Sequence, residues 1–300
     1  MTPFPVKRAA IFGCGYVGTA LAVALRVRGV AVVALTRNRD RAAELNTLGI
    51  ETIIADLADH SWHAQLGDEV GAAICTVSAA APTPEGYRQS YVNGLQSVLT
   101  WTKRRAEPLA SLLYTSSTGV YAQSGGATVD ESAPTEPTSP TGRILAEAEA
   151  LLPRASPKVR RWFVLRLAGI YGPGRHYLLN ALRAGQTAFP GEPHVRLNLI
   201  HRDDVVGALL ACLAAPEMGR SDTFNLSDGH PATKGEVVTW LAGQLSVAPP
   251  TFGDAAVART RRGEPTPDRV IANAKIRRVM GWAPTYPDYR AGYAALLRQL

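Results

Sequence analysis

The residues best suited to chemistry lie close to the start of the chain. Gly13-Cys14-Gly15-Tyr16-Val17-Gly18 is a GxGxxG string that follows an apolar run and opens an amphipathic one. In that setting Gly13 permits a tight turn, Gly15 lets the backbone approach a pyrophosphate, and Gly18 allows a helix to pack closely on a sheet. The N-terminus of the helix then aims its N–H groups at the anion. The string reads as a cradle for a dinucleotide; a glycine-rich turn without a ligand is the plainer reading.

The end of the next strand bears on which dinucleotide. An NAD site usually places Asp or Glu there to accept from the ribose hydroxyls, whereas this chain has Leu35-Thr36-Arg37-Asn38. Arg37 suits the 2′-phosphate of NADP, which a guanidinium grips with two charge-assisted hydrogen bonds; otherwise it is a solvated strand-end arginine. NADP is therefore the expected cofactor, with NAD the alternative. Asp56, after the third strand, is placed to accept from the adenine amino group or simply to close a turn.

Holding these groups in place requires alternating strands and helices, and the hydrophobic pattern supplies them. Strands are predicted over Lys7–Phe12, Ala31–Thr36, Glu51–Ala55, Ala72–Ser78, Leu109–Ser116, Val159–Leu167 and Thr223–Leu226. Helices are predicted over Tyr16–Arg28, Arg39–Leu48, Tyr87–Arg104 and Arg143–Leu152, and a strand and helix over Leu197–Leu213. The fold class is α/β: a Rossmann-type doubly wound parallel sheet with a smaller, interleaved C-terminal region. Residues 1–170 and 197–227 are expected to form the dinucleotide-binding core, and residues 171–196 and 228–300 the smaller substrate-binding region.

Composition narrows the classes further. The chain has 300 residues, 46% hydrophobic and 19% charged, as an ordinary globular protein does. Its three cysteines, Cys14, Cys75 and Cys212, are scattered through apolar segments, which fits neither a disulfide framework nor a zinc site, so no metal is expected. The first residues lack the apolar run of a signal peptide, and glycines break the apolar stretch from Ala9 to Val27. A cytoplasmic protein without a membrane partner is expected. The net charge of +7 comes from arginines spread along the chain without aromatic platforms, so no nucleic-acid partner is expected. Part of the excess would serve a polyanionic cofactor or substrate.

From the fifth strand on, the chain resembles the extended short-chain dehydrogenases, the NAD-dependent epimerase/dehydratase family. Tyr114-Thr115-Ser116-Ser117-Thr118-Gly119-Val120-Tyr121-Ala122 is similar to the family's S-S-x-x-V-Y-G segment. Leu165-Arg166 to Tyr171-Gly172-Pro173-Gly174-Arg175 is similar to its L-R-x-x-x-x-Y-G-P-G-R, and His201-Arg202-Asp203-Asp204-Val205 to its H-V-D-D-V. Asn273-Ala274-Lys275 with Met280-Gly281-Trp282-Ala283-Pro284 resembles its C-terminal S-K-A…L-G-W-x-P.

Two departures qualify what the resemblance implies. The opening motif is shorter than the family's G-x-x-G-x-x-G. The family's Y-x-x-x-K pair is replaced by Thr141 and Leu145, as in its atypical branch. In the family the tyrosine moves a proton while hydride moves to or from the nicotinamide; Thr141 has no acid chemistry near neutral pH and Leu145 carries no charge. Ser117 occupies the family's substrate-bonding position, or is a turn hydroxyl. Tyr121 is the best remaining phenol for proton transfer, or a packing tyrosine. His176 is a titratable candidate near the expected cleft, and His201 a structural one. Arg261 and Arg262 resemble an element that meets substrate diphosphate in sugar-nucleotide relatives, or form a solvated basic loop.

The resulting expectation is an NAD(P)-binding oxidoreductase acting on a small carbonyl or alcohol, or on a nucleotide-linked substrate. A sugar-nucleotide epimerase or dehydratase and a non-catalytic NADP-binding sensor are the alternatives. The resemblance also implies a homodimer formed through the helices near Tyr87–Arg104 and Arg143–Leu152.

Overall fold

Strand β1 (Arg8–Phe12) is buried along almost its whole length, and its side chains alternate between two hydrophobic clusters: Ala9 and Ile11 enter one, Ala10 and Phe12 the other. A strand apolar on both faces belongs in the middle of a parallel sheet covered by helices on each side. The computed structural model, which describes residues 4–155, 157–215, 220–253 and 267–299, has that arrangement. The other strands of the central sheet are β2 (Ala31–Thr36), β3 (Glu51–Ile54), β4 (Ala72–Cys75), β5 (Ser111–Ser117), β6 (Trp162–Leu167) and β7 (Asp222–Leu226). They lie in the order β7-β6-β5-β4-β1-β2-β3, every pair parallel.

Helix α1 (Tyr16–Val27) buries Val17, Leu21, Ala22 and Leu25, one stripe at helical spacing, against the first face. Asn38 caps α2 (Arg39–Thr47) by accepting from the Arg41 N–H at 3.0 Å, a contact that contributes about 1 kcal/mol. On the second face lie two further helices. One is a continuous helical run made of α3 (Pro84–Tyr87), a π-helical stretch (Arg88–Asn93) and α4 (Gly94–Lys103); the other is α5 (Pro140–Glu149). The predicted helix at Tyr87–Arg104 had no sign of its π-helical turn. The first face is completed by α7 (Arg202–Ala214), which follows α6 (Tyr177–Arg183) and packs on α1.

A third hydrophobic cluster joins Tyr171, the leucines of α6, and residues of α8 (Lys234–Gln244) and α10 (Tyr289–Leu297). Short strand pairs tie these segments together: Gly169–Tyr171 with Leu199–His201, and Arg196–Leu197 with Ala232–Thr233. Helix α9 (Ala274–Met280) lies against the central sheet. Its Ile276, with Trp282, packs into the first-face cluster of the sheet instead of the third cluster. No described helix is long and apolar enough to cross a membrane.

Candidate functional site

The turn after β1 is dictated by close packing. Gly13 sits at φ +88°, and a Cβ there would lie 2.6 Å from the Val77 Cα; a Cβ on Gly18 would lie 2.7 Å from the Gly13 carbonyl oxygen and from Thr76 Oγ1. Thr76 Oγ1 donates to that same carbonyl at 2.9 Å, fastening the loop after β4 to the turn. Gly15 is different, since a Cβ there would meet nothing within 4 Å. Its open side is the cradle that a diphosphate needs, and α1 begins there with no side-chain cap and no acid in its first turn. Free backbone donors and the positive end of the helix dipole point into that space.

Around this turn opens a cleft of about 960 Å³ at the carboxyl ends of the strands. It lies where the sheet order reverses between β1 and β4, the place where doubly wound sheets bind ligands. The size suits a dinucleotide plus a small partner. Gly13, Cys14, Gly15, Tyr16 and Val17 line it, and Gly18 does not. Cys14 is buried, and burial pushes its thiol up, so it contributes backbone rather than acid–base chemistry.

At the far end from the strand β5 wall, the cleft is lined by Thr36, Arg37, Asn38, Arg39 and Arg41. Arg37 Nη1 lies 3.5 Å from Asp56 Oδ2, which also accepts from Gln89 Nε2 at 3.1 Å. Asp56 Oδ1 accepts from the Ala58 N–H at 2.9 Å. The fold thus makes Arg37 and Asp56 neighbours, with the carboxylate both closing its turn and steering the guanidinium. Arg41 donates to the Cys14 carbonyl at 3.3 Å and to Thr19 Oγ1 at 2.6 Å, bracing α2 against the glycine turn. Sequence reasoning singled out Arg37 alone; the run Arg37, Arg39, Arg41 was the available signal for the rest.

Ser117, at the end of β5, lines the opposite wall. Its Oγ accepts from the Gly119 N–H at 3.1 Å, so the turn and a cleft-facing position coexist in one residue. Tyr121 is not brought to the cleft. It is buried, donates to Asn225 Oδ1 at 2.8 Å and accepts from Arg166 Nη1 at 2.7 Å, and Arg166 is in turn paired with buried Glu149 at 2.6 Å. Burial pushes its phenol up, against the pull of Arg166. The Tyr121 hydroxyl is thus tied into a buried network and is not among the residues that line the cleft. Thr141 and Leu145 are both buried on α5.

His176 precedes α6, is buried, and does not line the cleft; burial pushes its imidazole down. Its neighbour Arg175, quoted above only for the family resemblance of its segment, does line it. His201 Nδ1 accepts from the Asp203 N–H at 3.3 Å, a structural cap at the start of α7. Arg261 and Arg262 lie outside the described residues. The π-helical stretch carries Ser90 and Tyr91 to the cleft wall, a placement that periodicity alone does not announce. Among the described residues no group of three or more His, Cys, Asp or Glu could hold a metal ion.

Comparison with known proteins agrees with this fold. Residues 10–227 match the model of the NAD dependent epimerase/dehydratase family. The chain is 31% identical over 293 residues to protein YeeZ of Escherichia coli strain K12, covering 94% of this chain and 97% of that one. It is 29% identical over 311 residues to a 3-diazoavenalumate denitrifying reductase of a Streptomyces species, covering 93% and 96%. Among solved structures, MoeE5 in complex with UDP-glucose and NAD superposes with a TM-score of 0.79 at 24% identity, covering 97% of this chain and 99% of that one.

Proposed function

The chain belongs to the NAD dependent epimerase/dehydratase family, and from that premise we propose that it is an NADP-preferring oxidoreductase of the atypical kind. Its substrate is a small carbonyl or alcohol, or a nucleotide-linked molecule. One observation carries the reading: an open glycine cradle shares its cleft with Arg37, Arg39 and Arg41, and the β2 end, Thr36-Arg37-Asn38-Arg39, holds no acid. A bound nicotinamide dinucleotide would supply or accept the hydride.

The chain's own residues bind and orient. The α1 N-terminus and Gly15 receive the diphosphate, Arg37 and Arg39 receive a 2′-phosphate, and Ser117 hydrogen-bonds a substrate oxygen from the β5 wall. The reductase named among the relatives supports reduction as the direction. The UDP-glucose held by MoeE5 keeps a nucleotide-linked substrate in view. Thr141 and Leu145, standing where the family's tyrosine and lysine stand, favour a second reading, a non-catalytic NADP-binding sensor.

Titration of the purified protein with NADPH and with NADH, followed by nicotinamide fluorescence, tests the first step. NADPH is expected to bind more tightly, and Arg37→Ala to weaken NADPH by roughly tenfold or more while leaving NADH unchanged, since one charge-assisted hydrogen bond contributes about 1.5–3 kcal/mol. Equal affinities that Arg37→Ala does not alter would remove the NADP preference. Turnover over panels of carbonyl compounds and sugar nucleotides separates the enzyme from the sensor.

A further inference from the structure

We propose that Arg175 is a second anion ligand of the cleft: its guanidinium, braced on the Tyr16 ring, meets a diphosphate oxygen of the bound dinucleotide beside the α1 N-terminus. The proposal rests on the dinucleotide reading above and adds a residue from a remote part of the chain to it.

The Gly172–Arg175 turn stands on its backbone alone. The Gly172 N–H donates to the Arg175 carbonyl at 3.1 Å, and the Arg175 N–H donates to the Gly172 carbonyl at 2.9 Å. Gly172 at φ +151° and Gly174 at φ +71° supply the conformations that the turn requires. Tyr16 sets its position, because a Cβ on Gly172 would lie 2.7 Å from the Tyr16 hydroxyl. The turn's hydrogen bonds are thus made by backbone, and none of them uses the Arg175 guanidinium.

Its electrostatic setting points the same way. The Arg175 guanidinium lies 5.5 Å from the centroid of the Tyr16 ring, and that of Arg202 lies 5.2 Å from it. Arg202 is neutralised by Asp203 at 2.9 Å. Among the described residues no carboxylate pairs with Arg175, which is exposed and lines the cleft together with Gly15 and Tyr16. Two guanidiniums sharing one ring, one of them uncompensated, leave positive potential at the mouth of a phosphate cradle. Such a potential draws an anion, and a planar guanidinium grips phosphate oxygens in pairs.

The test uses NADH and NADPH as probes on the full chain, with Arg175→Ala, Arg175→Lys and, as a control, Arg202→Ala. Arg175→Ala is expected to weaken both dinucleotides by about tenfold and to an equal extent, with the melting temperature unchanged. Arg175→Lys should recover part of the loss, and Arg202→Ala should stay within about twofold of the parent. Unchanged NADH affinity in Arg175→Ala overturns the proposal, and so does a loss confined to NADPH, which would assign the residue to the 2′-phosphate. A parent protein that binds neither dinucleotide overturns the functional reading itself, which is a different result from a parent that binds and a variant that binds equally.

Discussion

A methyl group added at Gly15 distinguishes a glycine kept for a ligand from glycines kept for packing. At Gly13 the added Cβ would press on Val77 from a left-handed backbone, and at Gly18 it would press on the Gly13 carbonyl at 2.7 Å. The first costs about 1–2 kcal/mol in conformation alone, and the second about 1–3 kcal/mol in overpacking. Either lowers the melting temperature by a few degrees in a chain of this size. Gly15 has φ −91° and no neighbour within 4 Å of the added atom. Gly15→Ala is therefore expected to melt close to the parent. The same methyl fills the space through which a diphosphate reaches the first-turn N–H groups, and losing one charge-assisted hydrogen bond costs about 1.5–3 kcal/mol. NADPH affinity should fall roughly tenfold to a hundredfold. Calorimetric melting and nicotinamide fluorescence, measured on the same preparations, read the two effects separately. A Gly15→Ala protein with parental melting and parental NADPH affinity would refute the cradle. One that melts as low as Gly18→Ala would refute the claim that the space is open.

Tyr121→Phe should destabilise the protein by about 1–3 kcal/mol in urea denaturation, because it strips a buried partner from Arg166 and Asn225. Cofactor affinity should not change; unchanged stability with lost turnover would identify Tyr121 as a proton donor instead of a structural tie. Burial pushes the Asp228 carboxyl up to about 7, and one of its oxygens has no hydrogen-bond partner among the described residues. The folded state then holds this proton more tightly than the unfolded chain, so stability is lost as pH rises from about 4 to about 7 and levels off above. Asp228→Asn should raise the melting temperature at pH 8 and give a smaller gain at pH 5; an equal gain at both values would show that the carboxyl is not titrating in the fold.

The sequence by itself determined the α/β class, the positions of the seven sheet strands to within a few residues, and the family. The reason is that these features are written locally. A two-faced apolar strand such as Ala9 to Phe12 can only be central, and the glycines at 13 and 18 record backbone conformations and close approaches that tolerate nothing else. The run of arginines after β2, Arg37, Arg39 and Arg41, is local as well. Only the tertiary structure decided which polar groups face the cleft. Tyr121 was taken out of reach by Arg166 and Asn225, which lie 45 and 104 positions away. Arg175 was carried to Tyr16 by a turn whose address on the sheet no local pattern specifies, and Tyr91 was turned to the wall by a π-helical stretch inside an otherwise regular helix. Periodicity reports which side of its own element a residue occupies; what stands across from that side depends on how distant segments pack, and on this chain that packing chose the residues of the site.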